Sequence, residues 1–446
     1  MEIVQFLTDS LGDASYLLVS GGEAAMIDPQ RDVRPFVHAA EQRGAAIRYV
    51  FETHVHNDYL SGGRELAALG AQVVAPAKGK FEFPHIAVDD GELIAIGGAQ
   101  LRVVRAPGHT FEHTAYLALD EQAHVSGAFT GGTILMAGEG RTDLLGPDNT
   151  PDLTRMQWES ARRIAALLPA TGEILPTHGA GSFCSMTGTC LETRAPLSLE
   201  QMRNPALTLP FEAFRAAQLA IAAPIPGYYP KMAPINRRGP AVYGEPPRPA
   251  LLDSPALERI RGAGARVVDV RRRADWAERH IAGSLAIESG GSMLAYFGWL
   301  LPFDAPVALV CDDAAQAESV TVDLFRIGFE HVQGWFPGEA IPRSGVETAA
   351  LPVVTVEEAA ATVAQGATPV LDVRFAYEQE ATPLPGAIRL PIDRPMQLLA
   401  GAPKEALIVC ASGYRAAAAA SLLLPAGHRL RALIDGGAAE VLAALR

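Results

Sequence analysis

Apolar residues along this chain come in short runs broken by turn formers. ASYLLVS (14–20), AAMID (24–28) and RYVFETH (48–54) are too short for helices and read as strands. DVRPFVHAAEQRG (32–44) and RMQWESARRIAALL (155–168) repeat apolar residues at helical spacing and read as amphipathic helices. A proline-dense stretch at 224–249, PIPGYYPKMAPINRRGPAVYGEPPRP, reads as an ordered or extended linker outside any core. Beyond it the pattern repeats. ARVVDVRRRADWAERHIAGSLAI recurs as TPVLDVRFAYEQEATPLPGAIRL, with Asp269 and Asp372 103 positions apart. Cys311 after PVALV and Cys410 after EALIV are 99 apart, as are Gly328 and Gly427. Two successive copies of one small α/β domain account for this. In each, a buried strand runs into a loop and a helix, the alternation of a parallel sheet covered on both faces.

Composition narrows the function. With 446 residues, 49% hydrophobic and 20% charged, the chain can build two to four ordered domains; the expected divisions are 1–245, 250–346 and 350–446. A net charge of −13 argues against a nucleic-acid binder. The longest apolar run, 416–424, is far short of the roughly 20 residues that span a bilayer. The start, MEIVQFLTDSLG, lacks the basic and apolar regions of a signal peptide, so a cytoplasmic protein is expected, with no membrane partner. Four cysteines are too few for a disulfide scaffold, which makes each a candidate thiol.

Cys410 is the strongest of these. It closes a buried strand, and the loop Cys410-Ala-Ser-Gly-Tyr-Arg415 leads into an Ala-rich helix. Such a turn points backbone N–H groups inward and cradles an anion, which favours a nucleophilic thiolate. Gly413 permits the turn, and Arg415 braces the loop or offers charge to a leaving group. This segment, with Asp372-Val373-Arg374 and Pro385-Gly386-Ala387, resembles the rhodanese domain over 353–446. The resemblance implies a sulfurtransferase whose cysteine becomes a persulfide, with Ser412, Gly413 and Tyr414 around the substrate. In the preceding copy Cys311 is followed by Asp312 and Asp313, which oppose a thiolate. That copy reads as a rhodanese domain without its chemistry, a spacer or docking surface.

The first block holds clustered histidines. His54 and His56 follow the strand RYVF, His109 follows the Pro-Gly of APGHT, and His178 lies in PTHGAG. Three separate strand ends bearing histidine suggest one metal. AAMIDPQRD (24–32), THVHNDY (53–59), APGHTFEHTAY (106–116), FTGG…GRTDLLG (129–146) and PTHGAGSFCS (176–185) resemble the metallo-β-lactamase fold and, within it, the persulfide dioxygenases. The implied fold class is α/β: a metallo-β-lactamase αββα sandwich followed by two tandem rhodanese-like α/β domains. In that family one Fe(II) is held by two histidines, matching His54 and His109, and an aspartate after Thr-Gly. Here Gly132 follows Thr130-Gly131, and Tyr59 stands where the fold's His-x-His-x-Asp-His motif has its last histidine. Loss of those ligands argues against a two-metal hydrolase. The remaining candidate sets are His54, His56 and His109 as a neutral three-histidine site, Asp58 as substitute carboxylate, and His178 as a further ligand. A weakly held or absent metal is a third alternative. Asp143 is expected to brace the loop, His113 to orient a ligand, and Tyr59 to hydrogen-bond substrate or to pack. Cys184 and Cys190 are buried thiols by default, or sulfur carriers.

The resemblance implies a bifunctional enzyme of sulfide detoxification. A low-molecular-weight thiol persulfide and O₂ would give sulfite and thiol at one Fe(II) per chain. Cys410 would then move sulfane sulfur among sulfite, thiosulfate and thiol. The alternatives are a metal-dependent hydrolase of thioesters, with zinc, and a metal-free binding domain serving the sulfurtransferase. A homo-oligomer would require an exposed apolar patch.

Overall fold

The computed structural model describes residues 1–185, 190–220 and 223–446. The chain divides into two compact units, Met1–Pro246 and Pro247–Arg446. Among the described residues no helix is long and apolar enough to cross a membrane.

The described residues of the first unit form two six-stranded sheets. One runs, in spatial order, Glu2–Thr8, Asp13–Ser20, Glu23–Ile27, Ala46–Phe51, Gln72–Pro76 and Ile86–Val88. The other runs Ala195–Pro196, Glu173–Pro176, Val125–Gly131, Thr114–Leu119, Ala99–Arg105 and Leu93–Ile96. Successive side chains on a strand face opposite ways, and here both faces are covered, which is why these strands read as unbroken apolar runs. Tyr16 and Leu18 point into the layer between the sheets with Phe51, Leu101, Tyr116 and Phe129. Leu17, between them in sequence, packs on the outer face with Met26, Val50 and Phe36 of the helix Arg34–Glu41. The outer face of the second sheet (Val104, Ala115, Leu117) is covered by Ala161 and Ile164 of the helix Thr150–Leu167. The result is an αββα sandwich.

The proline-dense stretch departs from expectation. It contains the helix Tyr229–Arg238, with Pro234 inside it, and buries Tyr229, Met232, Ala233 and Asn236. Pro230 falls in the first turn, where no intrahelical N–H is needed. Prolines therefore sit at the start of this helix and inside it instead of preventing it.

The second unit bears out the repeat. Each copy has a four-stranded parallel sheet in the same spatial order of second, first, third and fourth strand. The first copy uses Leu285–Ala286, Arg266–Asp269, Val307–Cys311 and Val332–Pro337; the second uses Ile388–Arg389, Val370–Asp372, Glu405–Val409 and Arg429–Ala432. Asp269 grips Arg271 as Asp372 grips Arg374. Gly328 and Gly427 turn with φ of 78° and 79°. Helix starts agree with the sequence: Thr355 and Glu358 form a reciprocal cap on Val356–Gln365, and Asp253 caps Ser254–Gly262.

Candidate metal centre and sulfur site

Four strand ends of the sandwich meet at one place. His54 follows Ala46–Phe51, His109 follows Ala99–Arg105, Gly131 ends Val125–Gly131, and His178 follows Glu173–Pro176. All three histidines are fully buried, and a nitrogen from each lies within 4.8 Å of the others.

Hydrogen bonding fixes which nitrogen faces inward. His109 Nδ1 lies 2.7 Å from the carbonyl of Arg141, so Nδ1 carries the proton and Nε2 is left an acceptor. Among the described residues that buried Nε2 has no hydrogen-bond partner. Thr53 Oγ1 donates to Asp28 at 2.7 Å and therefore accepts from His54 Nδ1 at 2.8 Å, leaving His54 Nε2 as a second acceptor. His178 Nδ1 is held by Asp13 at 2.9 Å and Asp58 at 3.2 Å, and its Nε2 faces His54 Nε2 at 3.3 Å. His54 and His109 thus aim lone pairs at the point that His178 Nε2 also faces, and three imidazoles suit iron or zinc once His178 gives up its inward proton. The residues fit a mononuclear metal.

Charge is distributed accordingly. Burial, with the neighbouring histidines, pushes His54 well below its ordinary range, and burial with His178 pushes His109 down to about 3. Burial opposes charge on His178 too, but Asp58 and Asp13 outweigh it and push the imidazole up to about 10. Burial and the Asp58 charge push Asp13 up to about 7, while His178 holds Asp58 below the usual carboxylate range despite its burial. A proton and a metal thus compete for the His178 nitrogen, and the two carboxylates orient the ring for either.

His56 does not join the His54–His109 pair. Its Nε2 lies between Asp28 at 3.2 Å and Glu52 at 3.4 Å, which keep it protonated against the cost of burial. Two further groups with metal-ligand spacing contain it, His56–Asp58–His178 and Asp28–Glu52–His56. Tyr59 is fully buried; its hydroxyl donates to the Asp28 carbonyl at 3.1 Å and its ring stacks on His56. Gly132 is more than a lost aspartate. A Cβ there would stand 2.6 Å from His109 Cδ2, so the imidazole fills the space an aspartate stem needs. His113 holds the turn, accepting from the Gly132 N–H at 2.9 Å. Both carboxylate oxygens of Asp143 accept from one edge of the Arg141 guanidinium, Nε and Nη2. Cys184 is buried against Tyr229, and burial first, then Asp58, drives its thiol up; Cys190 lies beside Glu192. A cavity of about 320 Å³ has Asp13 and His178 in its wall.

In the second unit, Cys410 lies at the foot of its loop and Sγ accepts the Gly413 N–H at 3.1 Å. Gly413 has φ +89°, and a Cβ there would lie 1.9 Å from the Ile434 carbonyl oxygen, so only glycine fits. Arg415 is gripped by both oxygens of Glu378 and lies 4.5 Å over the Phe375 ring. Cys311, its counterpart, is buried, and burial with Asp269, Asp312 and Asp313 raises its thiol far from reactivity. Asp313 is spent capping the following helix.

Residues 11–178 match the metallo-beta-lactamase superfamily, and residues 254–333 and 355–444 each match the rhodanese-like domain. A hydroxyacylglutathione hydrolase of Methylococcus capsulatus (strain ATCC 33009 / NCIMB 11132 / Bath) is 31% identical over 46% of this chain and 73% of its own length. The chain belongs to the metallo-beta-lactamase superfamily. Another hydroxyacylglutathione hydrolase, of Rhodopseudomonas palustris (strain HaA2), is 33% identical over 37% of this chain and 62% of its own. The chain spans about half to three-fifths of most of these curated relatives. A metallo-beta-lactamase from Staphylococcus aureus subsp. aureus COL superimposes over 75% of this chain and 99% of its own, with TM-score 0.68 and 27% identity. The order of domains, metallo-beta-lactamase then two rhodanese-like, is that of the persulfide dioxygenase–rhodanese fusions.

Some residues of the metallo-beta-lactamase site escape sequence reading. Asn236, on the helix Tyr229–Arg238, accepts from Ser61 N and donates to the carbonyls of His56 and Tyr59, pinning the histidine loop. Asp13 and Asp28 orient His178 and, through Thr53, His54. A lone Asp beside a turn gives no signal of such a role.

Proposed function

We propose that the chain oxidises a thiol persulfide at the His54–His109–His178 centre and moves sulfane sulfur through Cys410. The observation that supports this reading is the convergence of three buried imidazole nitrogens in one group that includes no carboxylate. A two-metal hydrolase needs such a bridge to fix its nucleophile, whereas one metal on three protein ligands keeps positions open for substrate and O₂. Iron(II) bound there would supply the activation of O₂ toward the terminal persulfide sulfur, giving sulfite and free thiol.

The chain's own residues set the conditions. His54, His109 and His178 would hold the ion, and Thr53, the Arg141 carbonyl, Asp13 and Asp58 lock the three rings. Burial of all three excludes bulk water. The cavity beside Asp13 and His178 is the entrance assigned to the substrate. At the second site the Gly413 N–H stabilises the Cys410 thiolate after each transfer. The similarity to hydroxyacylglutathione hydrolases favours a glutathione-type carrier.

Metal analysis with oxygen electrode measurements tests this. About one iron per chain and O₂ uptake dependent on glutathione persulfide are expected. The second reading, a thioester hydrolase, is favoured by that same similarity and by the additional His56–Asp58–His178 group. Zinc in place of iron, with O₂-independent cleavage of S-lactoylglutathione, would establish it instead.

A further inference from the structure

The first rhodanese-like copy has no reactive cysteine, yet it builds part of the Cys410 site. A cavity of about 420 Å³ lies over the Cys410 loop, with Ser412, Arg415 and Phe375 of the second copy on one side and Ser292 and Tyr296 of the first on the other. The copies are fastened at its rim. Tyr414 donates its hydroxyl to the Glu288 carbonyl at 2.7 Å, Arg273 donates to the Ile434 carbonyl at 2.8 Å, and Trp299 packs on Phe375.

The cavity's cations are already answered. Arg415 is tied through two nitrogens to Glu378, and Arg273 to Glu288. A sulfur oxyanion entering here needs donors of another kind. Tyr296 is 5% exposed, and among the described residues its hydroxyl has no hydrogen-bond partner. Its ring is held by Tyr414 at 4.8 Å and Trp299 at 5.2 Å, which keeps it in the cavity wall with Ser412 and Arg415 of the Cys410 loop. With no partner among the described residues and the cavity in front of it, this hydroxyl is a donor available to a ligand.

We propose that Tyr296 of the first copy is a substrate-positioning residue that donates a hydrogen bond to the sulfonate of sulfite or thiosulfate over Cys410. The inference rests on the Cys410 sulfur-transfer reading and adds to it the oxyanion's seat. The transfer balances without any further reagent. The sulfur lone pair of sulfite attacks the outer sulfur of the Cys410 persulfide and forms the S–S bond of thiosulfate. The bond from Sγ to that outer sulfur breaks, and its electron pair returns to Sγ as a thiolate, which accepts the Gly413 N–H. Tyr296 gives no proton up; it aligns the oxyanion for in-line attack.

The experiment is steady-state sulfur transfer by Tyr296→Phe in the full chain, with sulfite and with cyanide as acceptors. Phe keeps the ring contacts with Tyr414 and Trp299. KM for sulfite should rise about tenfold, ~1.4 kcal/mol, with kcat within about twofold. Transfer to cyanide, which has no oxygen to bond, should be unchanged. An unaltered sulfite KM, or equal damage to both acceptors, overturns the inference. Cys410→Ser separates this from the underlying reading: if that variant still transfers sulfur to sulfite, Cys410 is not the carrier, whatever Tyr296 does.

Discussion

At the scale of single residues, two glycines fix the two sites for opposite reasons. Gly413 is required by backbone: φ is +89° and the Ile434 carbonyl occupies the place of a side chain. Gly413→Ala should cost at least about 2 kcal/mol through the left-handed φ and the clash, lowering Tm and removing sulfur transfer. Gly132 is required by a neighbour, since the His109 ring lies where its Cβ would be. Gly132→Ala should therefore displace a ligand ring and reduce iron per chain, measured by elemental analysis, while the fold persists. The histidines divide in the same experiment. His178→Ala should lose the metal. His56→Ala should keep most of it but fall in stability by about 3–5 kcal/mol, because Asp28 and Glu52 lose their buried counter-charge. Much of this was legible. His54, His109 and His178 each follow an apolar run, and a strand end is a reliable place to look for a ligand. The partners that fix their rings were not, because they are carbonyls and carboxylates distant in sequence. Asp13 and His178 are joined only after the sheets have formed.

At the scale of elements, the helix Tyr229–Arg238 shows how sequence reading failed. Proline density suggested a segment outside the core, but Pro230 sits where helices tolerate it and apolar contacts outweigh the rest. The periodicity of Tyr229, Met232, Ala233 and Asn236 was there to see and was masked by composition. Asn236→Ala should remove three hydrogen bonds to the loop 56–61 and cost about 2–3 kcal/mol, visible as a lower denaturation midpoint and faster metal loss. A second element is held by a buried acid. Glu139 accepts the Ala206 N–H at the start of the short helix Pro205–Thr208. Burial, opposed by that bond and aided by Glu200, pushes its carboxyl up to about 8 from 4.5. Between those values the folded chain keeps a proton that the unfolded chain has released, so stability falls as pH rises from about 4.5 to 8 and levels off above. At about 1.4 kcal/mol per unit the loss is several kcal/mol at most. Glu139→Gln keeps an acceptor for Ala206 and should flatten this part of the pH–Tm profile.

At the scale of the whole chain, a sandwich carrying a candidate metal centre is followed by a duplicated α/β domain carrying one candidate nucleophilic thiol. The duplication was plain in sequence, because the strand, cysteine and glycine spacings recur almost unchanged. What was not plain is that the copy without chemistry still furnishes cavity wall, for Tyr296 belongs to no repeated motif. The division of labour predicts that Cys410→Ser abolishes transfer to sulfite and leaves persulfide-dependent O₂ uptake intact, by parallel electrode and thiosulfate assays. Loss of both would mean that the two chemistries are not separable.

The burial of His54, His109 and His178 has a kinetic meaning as well. With no solvent exposure at the three histidines, an ion reaches them only when the loops over the strand ends open, and a substrate waiting in the cavity beside Asp13 and His178 needs the same opening. Loading and release should therefore run at the rate of that opening, nearly independent of chelator concentration once chelator is in excess. The metal would be acquired as the sandwich folds and retained for the life of the domain, so the supply of iron during synthesis would set the fraction of active chains.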